Sequence, residues 1–292
     1  MKKTKIIRKT FTAVIIVSAI AAACSKSNST AGSADDQATA ATLTASDATS
    51  DNLYDDAFNE VMNVNDENGL STGRIADGSV ANRADSLGSA HGCAAVTVTP
   101  KDQDTYPKTV VIDYGTSGCT GSSGVTHKGK ITYMLSGKFR SVGTVISVSF
   151  SGYSANGYMV EGTYSITNNS TGNSLNITTK VTGGKITYPD GSYYAYTGTK
   201  TMLQTAGMST TSPSDDSFTI TGNNTCSSSA GNTIAATITT PLVKNAACRN
   251  IVSGTIGVAY NNIKGVFDYG SGTCDNQATL TIGNTVQPIT LP

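Results

Sequence analysis

From residue 93 onward apolar and polar positions alternate along the chain. Ile131, Tyr133 and Leu135 are separated by Thr132 and Met134, and Ile146, Val148 and Phe150 by serines. Leu175, Ile177, Thr179 and Val181 continue the pattern, as do Phe218 and Ile220, Ile234 to Ile238, and Leu280 and Ile282. A period of two sends successive side chains to opposite faces, so each run predicts a strand with one buried and one wet face. Turn formers stand between the runs: Asn156-Gly157, Asn168-Asn169, Gly183-Gly184, Pro189-Asp190-Gly191 and Asn261-Asn262. About a dozen such strands, with no helical pattern between them, predict an all-β antiparallel domain over residues 91 to 292 and argue against α/β. The expected form is a single large sheet, curved or folded into a sandwich or open barrel.

One short amphipathic helix is predicted ahead of this domain, within a segment of helix and loop at residues 51 to 90. Leu53, Ala57, Phe58, Val61 and Met62 recur at helical spacing, with Asp55, Asp56, Glu60 and Asn63 on the other side. A helix of about three turns is marginal alone in water, so its apolar stripe is expected to lie on the β domain. Residues 24 to 50 read differently. They are almost entirely Ser, Thr, Ala, Gly, Asn, Asp and Gln, too little to bury, and predict a disordered tether about 25 to 30 Å in span.

The first residues carry an address. Lys2, Lys3, Lys5, Arg8 and Lys9 precede an apolar run at residues 11 to 22 that is too short to span a bilayer, and Ala21-Ala22-Ala23-Cys24 follows. Residues 1 to 23 thus read as a lipoprotein signal peptide, and Cys24 as the lipidated first residue of the mature chain. The same alanines also suit an ordinary A-x-A signal peptidase. At about 0.8 kcal/mol per buried methylene, two or three palmitate-like chains would make the membrane a permanent partner. Ser25 stands where inner-membrane bacterial lipoproteins carry Asp, and likeness to that class points to the outer membrane.

Formal net charge is zero, but residues 24 to 90 hold three basic groups against eleven acidic ones, and residues 91 to 292 hold twelve against nine. Neither part is basic enough to suggest nucleic acid. The acidic leader reads as a solvated segment that resists aggregation.

Cys93 to Cys119 and Cys248 to Cys274 share a separation of 26, and the second cysteines end nearly identical phrases, IDYGTSGC and FDYGSGTC. In each case the first cysteine opens a strand and the return strand runs back to the second, so two disulfides are predicted, in keeping with an oxidising compartment. Closing loops of this length is worth roughly 3 to 4 kcal/mol each. Cys226 is left over, as a free thiol, an intermolecular link, or a partner that breaks this pairing. No C-x-x-C knuckle is present, so no metal set is predicted from the cysteines.

Candidate chemistry is sparse. Asp113 and Asp268 each start a DYG turn, where a carboxylate accepts backbone amides; the rival reading is a cation site. The histidines are His91 and His127, with no G-x-S-x-G elbow or H-E-x-x-H helix around either. Glu161 is the only Glu of the β region, against the two facing carboxylates a glycosidase needs. Tyr188, Tyr193, Tyr194 and Tyr196 flank one turn and form the candidate ligand-binding platform, with cross-strand aromatic pairing as the plainer alternative. Lys128, Lys130, Lys138 and Arg140 form a sparse basic face, solvated or touching an anionic glycan or lipid headgroup. No residue marks a cofactor.

The phrases GKITYMLSGKFRSVGTVISVSFSGYSANGYMVEGTYSITNNS, GKITYPDG, ATITTPLVKNAACRNIVSGTI, FDYGSGTCDNQATLTI and IDYGTSGC together resemble a family of uncharacterised secreted lipoproteins of Gram-negative bacteria. The likeness spans about residues 90 to 292, excludes Cys226, and implies address and fold only. The expectation is therefore a noncatalytic, outer-membrane-anchored module that binds a glycan, a lipid or an envelope protein. A structural or assembly component of the envelope is the alternative, and a hydrolase with an unrecognised site is the third reading.

Overall fold

The computed structural model describes residues 33–70, 92–121, 124–210, 213–248 and 250–291. Fourteen strands follow in chain order: β1 Ala95–Thr99, β2 Lys108–Asp113, β3 Cys119–Thr120, β4 Thr126–Leu135, β5 Val145–Ala155, β6 Tyr158–Asn168 and β7 Asn176–Thr187. Then come β8 Tyr193–Ala206, β9 Ser217–Ser228, β10 Thr233–Asn245, β11 Ser253–Tyr260, β12 Ile263–Ser271, β13 Gln277–Ile282 and β14 Thr285–Thr290. All pair antiparallel in one open sheet that runs from β1 to β14 in sequence order, with the two-residue β3 set aside against β4. The mostly antiparallel β-sheet with one helix is thus as the alternation predicts, and its form is a single open sheet.

Register explains the alternation. Ile131 lies opposite Phe150, Tyr133 opposite Val148 and Leu135 opposite Ile146, so the apolar members share one face. The same holds across β6 and β7, where Tyr164 meets Val181. Cys93 pairs with Cys119 and Cys248 with Cys274, each with 5.6 Å between Cα atoms. The bridges staple the β1–β2 and β11–β12 hairpins near opposite ends of the sheet.

The helix departs from expectation. α1 runs Ala34–Glu67, so the expected tether is helical from residue 34 onward. Low apolar content is not the obstacle it seemed from composition alone. Alanine, the strongest helix former, recurs through residues 34 to 48, Ser33 caps the first turn by accepting from Asp36 N, and Asp35 and Asp36 meet the positive end of the helix dipole. Thr39, Thr42, Thr44, Thr49 and Ser50 donate their hydroxyls to carbonyls four residues back, which for the buried Thr44 and Ser50 offsets the cost of burial. Ala40, Leu43, Thr44, Ser46, Asp47 and Ser50 are then buried against the sheet.

The length of α1 matches its task. Gln37 lies beside Gly283, in the turn between β13 and β14, while Asn65 accepts from Tyr133 on β4 at 2.8 Å. Those 28 residues of helix rise about 42 Å. The nine strand spacings from β13 to β4 amount to about 43 Å. The helix therefore crosses the sheet along its hydrogen-bonding direction and covers the apolar face of nearly every strand, a span that a three-turn helix could not bridge. Among the described residues no helix is long and apolar enough to cross a membrane. Residues 1–32, with Cys24 and the export signal, and residues 71–91, with His91, lie outside the described residues.

Candidate functional site

The seam between α1 and the sheet is the most chemically dense part of the protein. Because the helix crosses the strands, each turn presents its side chains to new ones. Asp47 accepts from Asn224 on β9. Asp51 accepts the Tyr196 hydroxyl at 2.6 Å and pairs with Lys200, both on β8. Tyr54 donates to the Glu161 carbonyl at 2.7 Å on β6. Asp56 faces His127 on β4 at 2.8 Å and Tyr153 on β5 at 3.0 Å, and Glu60 accepts from Tyr114 at 2.5 Å. Sequence spacing placed Asp55, Asp56 and Glu60 on a solvent side; the structure turns Asp56 and Glu60 to the sheet, because tyrosine hydroxyls on the inner face supply donors for them.

Burial sets the protonation states along the seam. Desolvation, with the charge of Asp51 beside it, pushes the Asp47 carboxyl up to about 7, against the opposing pull of Asn224 and Lys200. Burial works against the charge of Lys200, but Asp51 and Asp55 outweigh it and hold the ammonium above the ordinary lysine range. His127 follows the same logic: burial opposes its charge, and the hydrogen bond and charge of Asp56 raise it. Tyr54, Tyr114, Tyr153 and Tyr196 are all held well above the usual phenol range, chiefly by desolvation, and act as neutral donors. The result is a zipper of charge-assisted hydrogen bonds.

Between Tyr54, Tyr164, Val181, Tyr196 and Lys200 the seam leaves a cavity of about 10 Å³. That holds one water and no larger ligand. Aromatic packing fills the rest: Tyr54 stacks on Tyr196 with ring centroids 5.4 Å apart and meets Tyr164 at 5.8 Å. One donor atom each from Asp56, Glu60 and His127 lies within 4.8 Å of the others, an arrangement among the described residues that could hold a metal ion.

The tyrosine platform divides between faces. Tyr196 is buried under the helix, Tyr188 and Tyr194 are half-buried, with Tyr188 packed on Tyr158 at 4.9 Å and on Tyr194 at 5.2 Å, and Tyr193 alone of the four is exposed, at 41%. The period of two causes this split, since Tyr193 and Tyr196 cannot share a face. Lys185 lies over the Tyr193 ring at 5.4 Å and pairs with Glu161 at 2.9 Å. Met159 and Thr187 continue the outer row from Tyr193. Asp113 and Asp268 accept from Gly115 and Gly270 amides at 2.9 and 2.8 Å, the turn-closing role. Of the basic face, Lys130 pairs with Asp113 and Lys138 with Asp104. Cys226 is a free thiol, fully buried on β9 against α1.

The outward face carries hydroxyl rows: Thr167, Thr178, Thr201 and Thr221 stand opposite one another on β6 to β9. What sequence reading missed is the seam itself. Its only trace was Asp47, Asp51 and Asp55 at intervals of four, together with tyrosines at the inward positions of the strands. No family model, curated protein or solved structure matches this chain.

Proposed function

We propose that this chain is an exported lipoprotein, anchored through acylated Cys24 in the outer membrane, whose sheet is a noncatalytic module binding a glycan, a lipid surface or an envelope protein with its outer side. The observation that carries this reading is that the inner face is already covered by α1, whose side chains are buried against the strands and leave at Tyr54, Tyr164 and Tyr196 a cavity of only about 10 Å³. A binding surface then lies on the outer side, which carries Tyr193, Lys185 and Met159 toward one end of the strands and the hydroxyl row toward the other. An exposed ring with a cation over it suits a sugar face or a partner's apolar edge. The likeness of several phrases to secreted Gram-negative lipoproteins supports the address. The test has two parts. Labelled palmitate should enter wild type and not Cys24→Ser. Purified protein should bind isolated outer-envelope glycans or membranes, and Tyr193→Ala should weaken that binding about tenfold, as the loss of an aromatic anchor does; equal binding by the variant overturns the outer-face reading.

A second reading, assembly through the sheet edges, is favoured by β1 and β14, each paired on one side only among the described residues. Such edges take an added strand from a partner. Crosslinking in intact envelopes separates the two readings, since a stable protein adduct at β1 or β14 favours assembly.

A further inference from the structure

Toward the C-terminal end of α1, three side chains distant in sequence converge. Asp56 and Glu60 are one helical turn apart and share a face. His127, on β4, stands between the phenols of Tyr114 and Tyr153, with ring centroids at 4.9 and 5.8 Å. The separation between His127 Nε2 and Asp56 Oδ2 is 2.8 Å. Ligands about 2.05 Å from a zinc-like ion lie about 2.9 Å apart when they bind at right angles, and about 3.4 Å apart in a tetrahedron. One edge of the site is therefore already the length required by a five- or six-coordinate ion. Glu60, within 4.8 Å, needs only to rotate inward to complete a three-ligand face.

A supporting layer is present as well. Tyr153 donates to Asp56 at 3.0 Å and Tyr114 donates to Glu60 at 2.5 Å. Phenolic donors of this kind hold carboxylates in a ligating orientation and tune them, as outer partners do in metal proteins. The Asp56 side chain is 23% exposed, which gives an ion a path and leaves positions for water. One imidazole with two carboxylates mixes borderline and hard donors, a set suited to Zn²⁺, Co²⁺ or Mn²⁺ and poorly matched to Cu⁺ or Ca²⁺.

We propose that Asp56, Glu60 and His127 bind one divalent first-row transition ion, best filled by Zn²⁺, which clasps α1 to β4. In the structure a hydrogen bond joins His127 to Asp56; the ion replaces the proton between them and draws in Glu60. The site is independent of the outer-face binding proposed above.

The test uses the mature full-length protein, stripped with a chelator, dialysed and titrated with ZnCl₂ by calorimetry. One Zn²⁺ per chain is expected, with a Tm rise of about 5 to 10 °C at a hundredfold excess over Kd. His127→Gln and Glu60→Gln should each weaken binding at least about tenfold and cut the Tm rise at the same zinc concentration to about half or less. His91→Gln and Glu161→Gln should bind as wild type. Absence of saturable uptake by wild type, or uptake that survives His127→Gln and vanishes in His91→Gln, overturns the site. Should His127→Gln fail to fold by circular dichroism, Glu60→Gln decides: wild-type affinity refutes the clasp, and a tenfold loss upholds it.

Discussion

Gly184 offers the sharpest test of how the helix sits. Its backbone lies directly beneath Tyr54, and a Cβ there would stand 2.4 Å from the Tyr54 hydroxyl oxygen, 2.6 Å from the Tyr196 carbonyl oxygen and 2.7 Å from Val181 Cγ1. Since the backbone conformation at Gly184 is one any residue adopts, the penalty of Gly184→Ala comes from contact alone. Relieving it means lifting Tyr54 by close to 1 Å, which breaks its 2.7 Å hydrogen bond to the Glu161 carbonyl. Overpacking of this kind costs about 1 to 3 kcal/mol and the lost bond about 1 more, so the variant should be destabilised by about 2 to 4 kcal/mol. That is a fall of about 5 to 15 °C in Tm by calorimetry or circular dichroism. Tyr54→Phe alone should cost about 1 kcal/mol. In the Gly184→Ala background it should cost nothing or restore part of the loss, because the bond is already gone and the hydroxyl is the nearest clash; the Tyr196 carbonyl keeps recovery partial. A Gly184→Ala protein that melts with wild type, or strict additivity of the two changes, would show that α1 does not rest on this strand.

Two further outcomes follow from the seam. Asp47 carries a carboxyl raised to about 7 from an ordinary value near 4, so the folded state binds the proton more tightly than the unfolded one. Stability is then greatest below pH 4 as far as this group is concerned and declines as pH climbs to 7, with Asp51 and Lys200 as the charged neighbours. Asp47→Asn, which keeps an acceptor for Asn224, should flatten that slope and exceed wild type at pH 8 by at most about 4 kcal/mol in urea melts; parallel profiles would refute the burial of a titrating carboxyl there. Cys226 is fully buried and its thiol is pushed up to about 12, chiefly by desolvation with Asp47 adding to it. A thiol-reactive dye at pH 8 should label it only after denaturation, and labelling of native protein within minutes would contradict its placement under the helix.

The strands and both disulfides were legible because their signals are local: period two, turn formers, and one cysteine spacing used twice. The extent of α1 was not. Ala40, Leu43, Thr44 and Ser50 gain their burial from strands more than a hundred residues away, and polar composition alone reads as a tether when that distant surface is unknown. The tyrosine platform divides between faces for a related reason. Proximity in sequence brought Tyr193 and Tyr196 together on paper, whereas strand pleating sends them to opposite sides. The cluster of Asp56, Glu60 and His127 could not be read at all, since its members are joined only when β4 passes beneath the helix.

The crossing of α1 over the sheet also imposes an order of assembly. Every strand but the short β3 pairs with neighbours adjacent along the meander, so the sheet can grow hairpin by hairpin as the polypeptide emerges. The helix, although synthesised first, has its landing ground spread from β2 to β13, and its opening turns meet a floor that exists only once the final hairpin is in place. A segment made before the sheet is thus the last to settle, and loss of the β13–β14 hairpin would leave the start of the helix stranded while its far end stayed docked.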